Sequence, residues 1–183
     1  MKLFHTGYME IRNPDVHHGR KNADFGQGFY MSDDGEFAGR WAREQKGHDI
    51  IVNSYELITE GLKVKEFERD SEWSDYIFNN RAAKEDYLGE YDIIIGPIAN
   101  DTLYNIFGII TSGFLSRDMA LKLLQVGPCY KQIVLKTQKA VDNLKWISGD
   151  VLDHEAALNF AAQVKAEEEQ YQEAISRILS DEN

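Results

Sequence analysis

Apolar positions along this chain change their period several times, and each change marks an element. Lys2 to His5 reads as a short buried strand that starts almost at the first residue, and Phe29-Tyr-Met-Ser reads as a second. Ser32, Asp33 and Asp34 then offer N-cap chemistry to a helix reaching about Lys46. It carries Phe37, Ala38, Trp41 and Ala42 at helical spacing, with Gly47 as its C-cap. Ile50 to Ile58 is a β-branched run and Lys63 to Phe67 a weaker one, both read as strands. Glu72 to Leu88 holds a helix bearing Trp73, Tyr76, Ile77 and Phe78, and Tyr91-Asp-Ile-Ile-Ile-Gly-Pro is a buried strand closed by a turn. Asp101 to Ile110 reads as helical, and Ser116 caps a helix over Arg117 to Val126 that Gly127-Pro128 stops. Lys131 to Lys136 is a strand and Leu144 to Ile147 a short extended piece or turn. Asp153 caps a long terminal helix from His154 to about Leu179. Strands and helices do not alternate as a doubly wound sheet requires, so the expected class is α+β.

That terminal helix carries Ala157, Ala161, Val164, Glu168, Tyr171, Ile175 and Ile178 at alternating steps of four and three. The stripe suits either packing on the chain's own body or docking on a partner. Its alanine start and the break at Glu168 argue against a strong coiled coil. The expected organisation is one domain over residues 1–150 followed by an acidic helix over 151–183.

Composition narrows the function classes. The chain has 183 residues, a formal net charge of −11 and 43% hydrophobic residues, enough apolar content for a packed core. An acidic chain does not coat DNA or RNA through a general basic face. The charge is uneven, however. Residues 151–183 hold eight acids against two bases, whereas residues 12–46 hold six of each sign. A local pocket for an anionic ligand is therefore compatible with the total. The single cysteine, Cys129, forms no internal bridge, and the five histidines have no zinc spacing, so no metal is expected. No apolar run approaches the roughly 18 residues of a membrane span. Met1-Lys-Leu-Phe-His enters a strand at once with no signal-peptide pattern, and a cytoplasmic protein is expected.

Several motifs can be set aside. Asp24-Phe-Gly spells the metal-binding tripeptide of protein kinases, but no His-Arg-Asp loop accompanies it. Gly26-x-Gly28 lacks the Gly-Lys-Ser/Thr of a phosphate-binding loop. His17-His18 is a doublet expected to place its rings on opposite sides of a loop, as surface histidines. Asp92 interrupts the start of a strand, Asp101 is a helix cap or a functional carboxylate, and Asn80-Arg81 can pair with one of these acids. His5 and Tyr30 are different. Each is a polar or aromatic residue inside a short strand, and each alone suits an ordinary core role.

Taken together, they carry a resemblance. Phe25-Gly-Gln-Gly-Phe-Tyr-Met-Ser-Asp followed by Ala38 and Trp41 resembles the second NAD-binding motif of the poly-ADP-ribose polymerases and diphtheria-type ADP-ribosyltransferases. Leu3-Phe-His-Thr-Gly resembles their first. Roughly residues 1–150 resemble a bacterial domain family of initially unknown function in the ADP-ribosyltransferase clan, through His5, Gly19 to Tyr30, and Tyr91 to Asp101.

The resemblance implies a split β-sheet with an NAD cleft. His5 would hydrogen-bond the adenosine ribose hydroxyl, and Thr6 would offer its backbone to the carboxamide. Tyr30 and Trp41 would flank the cationic nicotinamide ring. Phe25 and Gly28 belong to the same motif. Arg20, with Lys21 or Asn22, is placed to meet the pyrophosphate, and an Arg fork suits paired phosphate oxygens. The related transferases begin a late strand with a Glu, and the matching position here is Gln132, which accepts a hydrogen bond but supplies no charge. Three outcomes stay open: a slower transferase, a site that recruits another carboxylate such as Asp101, or an NAD-binding module without turnover. The implied activity is mono-ADP-ribosyl transfer from NAD to a protein, nucleic acid or small-molecule acceptor. The alternatives are simple NAD hydrolysis and a non-catalytic nucleotide-binding interaction module. Analogy with single-domain toxins of this clan adds an antitoxin partner to the expectations.

Overall fold

The computed structural model describes residues 1–40, 47–99 and 116–180. Its strands form two sheets. In the first, β1 (Lys2–Gly7) pairs antiparallel with β3 (Ile51–Leu57), which pairs antiparallel with β7 (Leu144–Val151). In the second, β2 (Phe29–Met31), β6 (Lys131–Leu135), β5 (Ile93–Pro97) and β4 (Val64–Glu66) follow in that order, and only β4 and β5 run parallel. Among the described residues one bridge joins the sheets. The Phe4 N–H donates to Ser32 O at 2.8 Å and the Ser32 N–H to Phe4 O at 3.0 Å.

The second sheet separates two cores. Ile93, Ile95, Ile133, Leu135, Phe29 and Met31 join Leu3, Tyr55 and Leu57 of the first sheet. Ile94 and Val134, one step out of phase, join Phe25, Phe67, Trp73, Tyr76 and Leu123 on the opposite face. Burial on both faces is why β5 reads as an unbroken run of isoleucines. Helices cover the outer face: α2 (Ser71–Arg81), α3 (Arg117–Leu124) and α5 (His154–Ser180). Their caps are local. Asp70 accepts from the Trp73 N–H, Ser116 from the Met119 N–H, and Asp153 from Glu155 and Ala156.

The last helix packs on its own chain. Tyr171 and Ile175 are buried in the outer core, and the Tyr171 hydroxyl donates to Leu123 O. At its other end it meets α1 (Gly35–Arg40), where a Cβ on Gly39 would stand 2.7 Å from the Phe160 ring. Arg40 donates to Glu167 at 2.8 Å and to the Tyr130 hydroxyl at 2.9 Å.

Two elements go beyond expectation. Leu144 to Ile147, expected as a short extended piece or turn, is extended and runs on into an eight-residue strand, β7, that completes the first sheet. A bulge opposite Ser54/Tyr55 breaks its alternation, and one side faces solvent, so its apolar signal is weak. The short α4 (Gln138–Asp142), capped by Thr137, was also unforeseen. The expected helix over 101–110 and the second half of the 35–46 helix lie outside the described residues. No described helix is long and apolar enough to cross a membrane.

Candidate functional site

The bridge at Phe4 and Ser32 would continue, in a regular antiparallel ladder, to backbone bonds near Tyr30. It is replaced there by a side chain. His5 Nδ1 lies 2.7 Å from Tyr30 O, and because a carbonyl only accepts, Nδ1 carries the proton. Burial holds the imidazole below its ordinary value, outweighing the opposite pull of the Tyr30 carbonyl. At neutral pH the ring is therefore uncharged, and Nε2 is an acceptor. The ring lies 4.5 Å, centroid to centroid, from Phe29, which fixes its plane.

His5 and Tyr30 form a partition between two cavities. The larger, about 700 Å³, is walled by Met9 to Asp15, His18, Gly19, Gly28 and Phe29. The smaller, about 120 Å³, is walled by Phe4, Thr6, Met31, Ser32 and Ala38. The larger falls within the range of small-molecule sites. Its far wall depends on two glycines. A Cβ on Gly19 would stand 2.3 Å from Gly28 O, and one on Gly28 would stand 2.6 Å from Leu135 O, so the two backbones meet only without side chains. Gln27 ties this approach together by donating to His17 O at 2.7 Å and Gly19 O at 3.0 Å.

The expected site residues divide into groups. His5, Tyr30 and Gly28 line the larger cavity, while His5, Tyr30 and Thr6 line the smaller. The Thr6 hydroxyl donates to Ala38 O, which turns its side chain toward α1. Arg20 and Asn22 are exposed beside Gly19 and line neither cavity. Phe25 is fully buried in the outer core, against Phe67 and Tyr76. Gln132 is 2% exposed, pairs with Gly96, and donates through Nε2 to Pro97 O at 3.3 Å; it lines neither cavity. Trp41 and Asp101 lie outside the described residues.

Residues 1–146, which hold this cavity, match the family model for proteins of unknown function DUF3990. The chain belongs to the DUF3990 family. The DUF3990 match contains both sheets up to Trp146 of β7, together with His5, Tyr30 and the whole cavity lining, and it ends before α5. No curated protein matches the chain.

Other side chains of the DUF3990 domain take unexpected partners. His17 and His18, expected on opposite sides, both turn onto Asp15, at 2.9 Å to Oδ1 and 3.3 Å to Oδ2. The 3₁₀ turn Val16–His18 gathers them, and the His17 N–H, with its ring, holds the Asp15 carboxyl below its ordinary value. Arg81 meets Asp24 at 2.8 Å. Asp92 is instead held by the Lys63 N–H, the Thr137 hydroxyl and Lys139. Burial raises the Asp92 carboxyl, and those three partners together bring it below its ordinary value. Among the described residues no cluster of three His, Cys, Asp or Glu could hold a metal.

The segment Met9 to Asp15 escaped sequence reasoning, because an exposed polar loop has no period. One signal was present: Asn53 interrupts the β-branched run of β3. It is fully buried, accepts from the Ile11 N–H at 2.8 Å and donates to Met9 O at 3.0 Å, pinning that loop to the sheet.

Proposed function

We propose that this protein binds NAD at the junction of its two sheets and transfers ADP-ribose from it, in the manner of a mono-ADP-ribosyltransferase. The observation that carries this reading is His5. Its Nδ1–H is committed to the Tyr30 carbonyl, its ring is neutral, and its remaining nitrogen is an acceptor suited to a ribose hydroxyl at the edge of a nucleotide-sized cavity. In the reaction the bond between the anomeric carbon and the pyridinium nitrogen breaks, and its electron pair goes to that nitrogen. Nicotinamide leaves neutral, so no general acid is needed. An acceptor nucleophile then adds to the anomeric carbon and releases its proton. The Tyr30 carbonyl orients the imidazole.

A second reading, NAD binding without turnover, has its own observation. Gln132 supplies no charge and is engaged with the Pro97 carbonyl. Stabilising a developing cation with a placed carboxylate is worth about 3–4 kcal/mol, and this site lacks that contribution from position 132.

The test is to incubate the purified protein with NAD and measure free nicotinamide, beside His5→Ala. Release that falls at least tenfold in the variant supports transfer or hydrolysis at this site, and a labelled acceptor separates the two. Saturable NAD binding without release, lost in the variant, supports the second reading. Release that persists unchanged in His5→Ala overturns the site.

A further inference from the structure

We infer that Arg12, rather than Arg20, is the group that meets the diphosphate of a nucleotide in the larger cavity, and that Glu10 competes with the diphosphate for it. The inference rests on the NAD reading for its ligand class, a nucleoside diphosphate, and on separate geometry for its residues.

Arg12 lines the cavity and Arg20 does not. The Arg12 guanidinium carbon lies 4.5 Å from the centre of the Trp146 ring, a cation–π contact that limits its motion. Trp146 is fixed in turn, because its Nε1–H donates to Asn53 Oδ1 at 3.1 Å. The same buried Asn53 holds Met9 O and the Ile11 N–H, and the Tyr55 hydroxyl donates to Ile11 O at 2.7 Å. The backbone on both sides of Glu10 is thus anchored to β3, and Arg12 projects from an anchored loop onto a fixed ring. This is a preorganised guanidinium, which loses little freedom when it binds an anion.

Its present partner is a single oxygen. Nε and Nη2 of Arg12 both donate to Glu10 Oε2, at 3.1 and 2.7 Å. Gly149 makes room for Glu10: a Cβ there would stand 2.7 Å from Glu10 Cγ. Both side chains are substantially exposed, at 65% and 44%, and such pairs contribute little. A diphosphate offers the same fork two oxygens and a larger charge, so it can displace the carboxylate. Glu10 is then a competitor for the site, and its removal should tighten binding.

Calorimetric titration of NAD, ADP-ribose, ADP and inorganic pyrophosphate tests this in wild type, Arg12→Ala, Arg20→Ala and Glu10→Gln. Arg12→Ala should weaken ADP-ribose about 10- to 100-fold, more than Arg20→Ala does, and flatten the salt dependence of binding. Glu10→Gln should tighten it several-fold. A larger loss in Arg20→Ala, or weaker binding in Glu10→Gln, overturns the inference. The two readings fail separately. Arg12-dependent pyrophosphate binding without any NAD binding removes the NAD reading and keeps the anion site. NAD binding unchanged in Arg12→Ala does the reverse. No binding of any of these probes overturns both.

Discussion

The two faces of the second sheet are built in opposite ways. On the outer face a largely buried polar network gathers around the turn at Asp24 to Gly26. Asp24 pairs with Arg81, their side chains 10% and 4% exposed. Lys136 reaches Asp86 at 3.1 Å and also donates to Phe25 O. The Tyr76 hydroxyl donates to the same Asp86. The Tyr30 hydroxyl donates to Gly26 O at 2.7 Å and accepts from the Phe25 N–H at 3.0 Å. Burial raises the Tyr30 phenol well above its ordinary value, with the Asp24 charge adding to it, so it stays protonated and keeps donating. Burial likewise lowers Lys136, with Asp86 pulling the other way. Across the sheet, the inner core opens at its end into the larger cavity, whose polar side chains are mostly exposed. The sealed face holds the sheet in shape, and the open face leaves groups for a ligand. Tyr30 belongs to both, with its ring and hydroxyl in the outer network and its carbonyl on His5.

This contrast can be broken from the sealed side first. Arg81→Met leaves Asp24 buried without this partner and should cost about 3–5 kcal/mol, read from the urea midpoint. A loss under about 1 kcal/mol would show that the network is not sealed. Gln132→Glu exchanges a donor for a carboxylate facing the Pro97 carbonyl, and should cost about 1–3 kcal/mol in the same assay. A rise in nicotinamide release would place that position in the reacting set instead. Tyr30→Phe should cost about 1–2 kcal/mol, by leaving Gly26 O and the Phe25 N–H without the hydroxyl, while its carbonyl still orients His5.

The open side responds to pH. The folded His5 titrates below the unfolded value of about 6.5, so between the two the unfolded chain holds more protons. Stability should therefore fall as pH drops from about 6.5 toward the folded value, and His5→Gln should flatten that slope. A slope unchanged in the variant would assign it elsewhere. The smallest effect is expected at Met9, which is 67% exposed on the cavity rim. Met9→Ser should shift stability by no more than about 0.5 kcal/mol.

Much of the fold was legible because its elements carry local signals. β1, β2, β5 and β6 are short apolar runs, and Asp70, Ser116 and Asp153 announce helix starts. β7 was not legible beyond Ile147, since an edge strand with a bulge loses its alternation. The site was legible in part. His5 and Tyr30 stood out as odd residues in strands, and the structure joins them through one hydrogen bond. Phe25 shares a sequence block with Tyr30, and Gln132 is the position matched on the late strand, yet neither lines either cavity. Phe25 lies in the turn before β2 and packs on the outer core, while Gln132 sits in β6, where one step of register changes the face a residue lines. The cavity wall from Glu10 to Asp15 carried no periodic signal. Its anchor, Asn53, lies more than forty positions away in sequence.

The order of amino acids by itself determined the α+β class, most strands and helix caps, the acidity of the terminal helix and the pair His5 and Tyr30 as the place to look. The class, the strands and the caps follow from interactions within a few residues of one another, and the pair rests on the resemblance that His5 and Tyr30 carry together. Only the tertiary structure decided that Tyr30 offers His5 its carbonyl rather than its hydroxyl, that Arg81 serves Asp24, and that Arg12 stands over Trp146. Each of these depends on the register and twist of strands far apart in the chain, which no local pattern encodes.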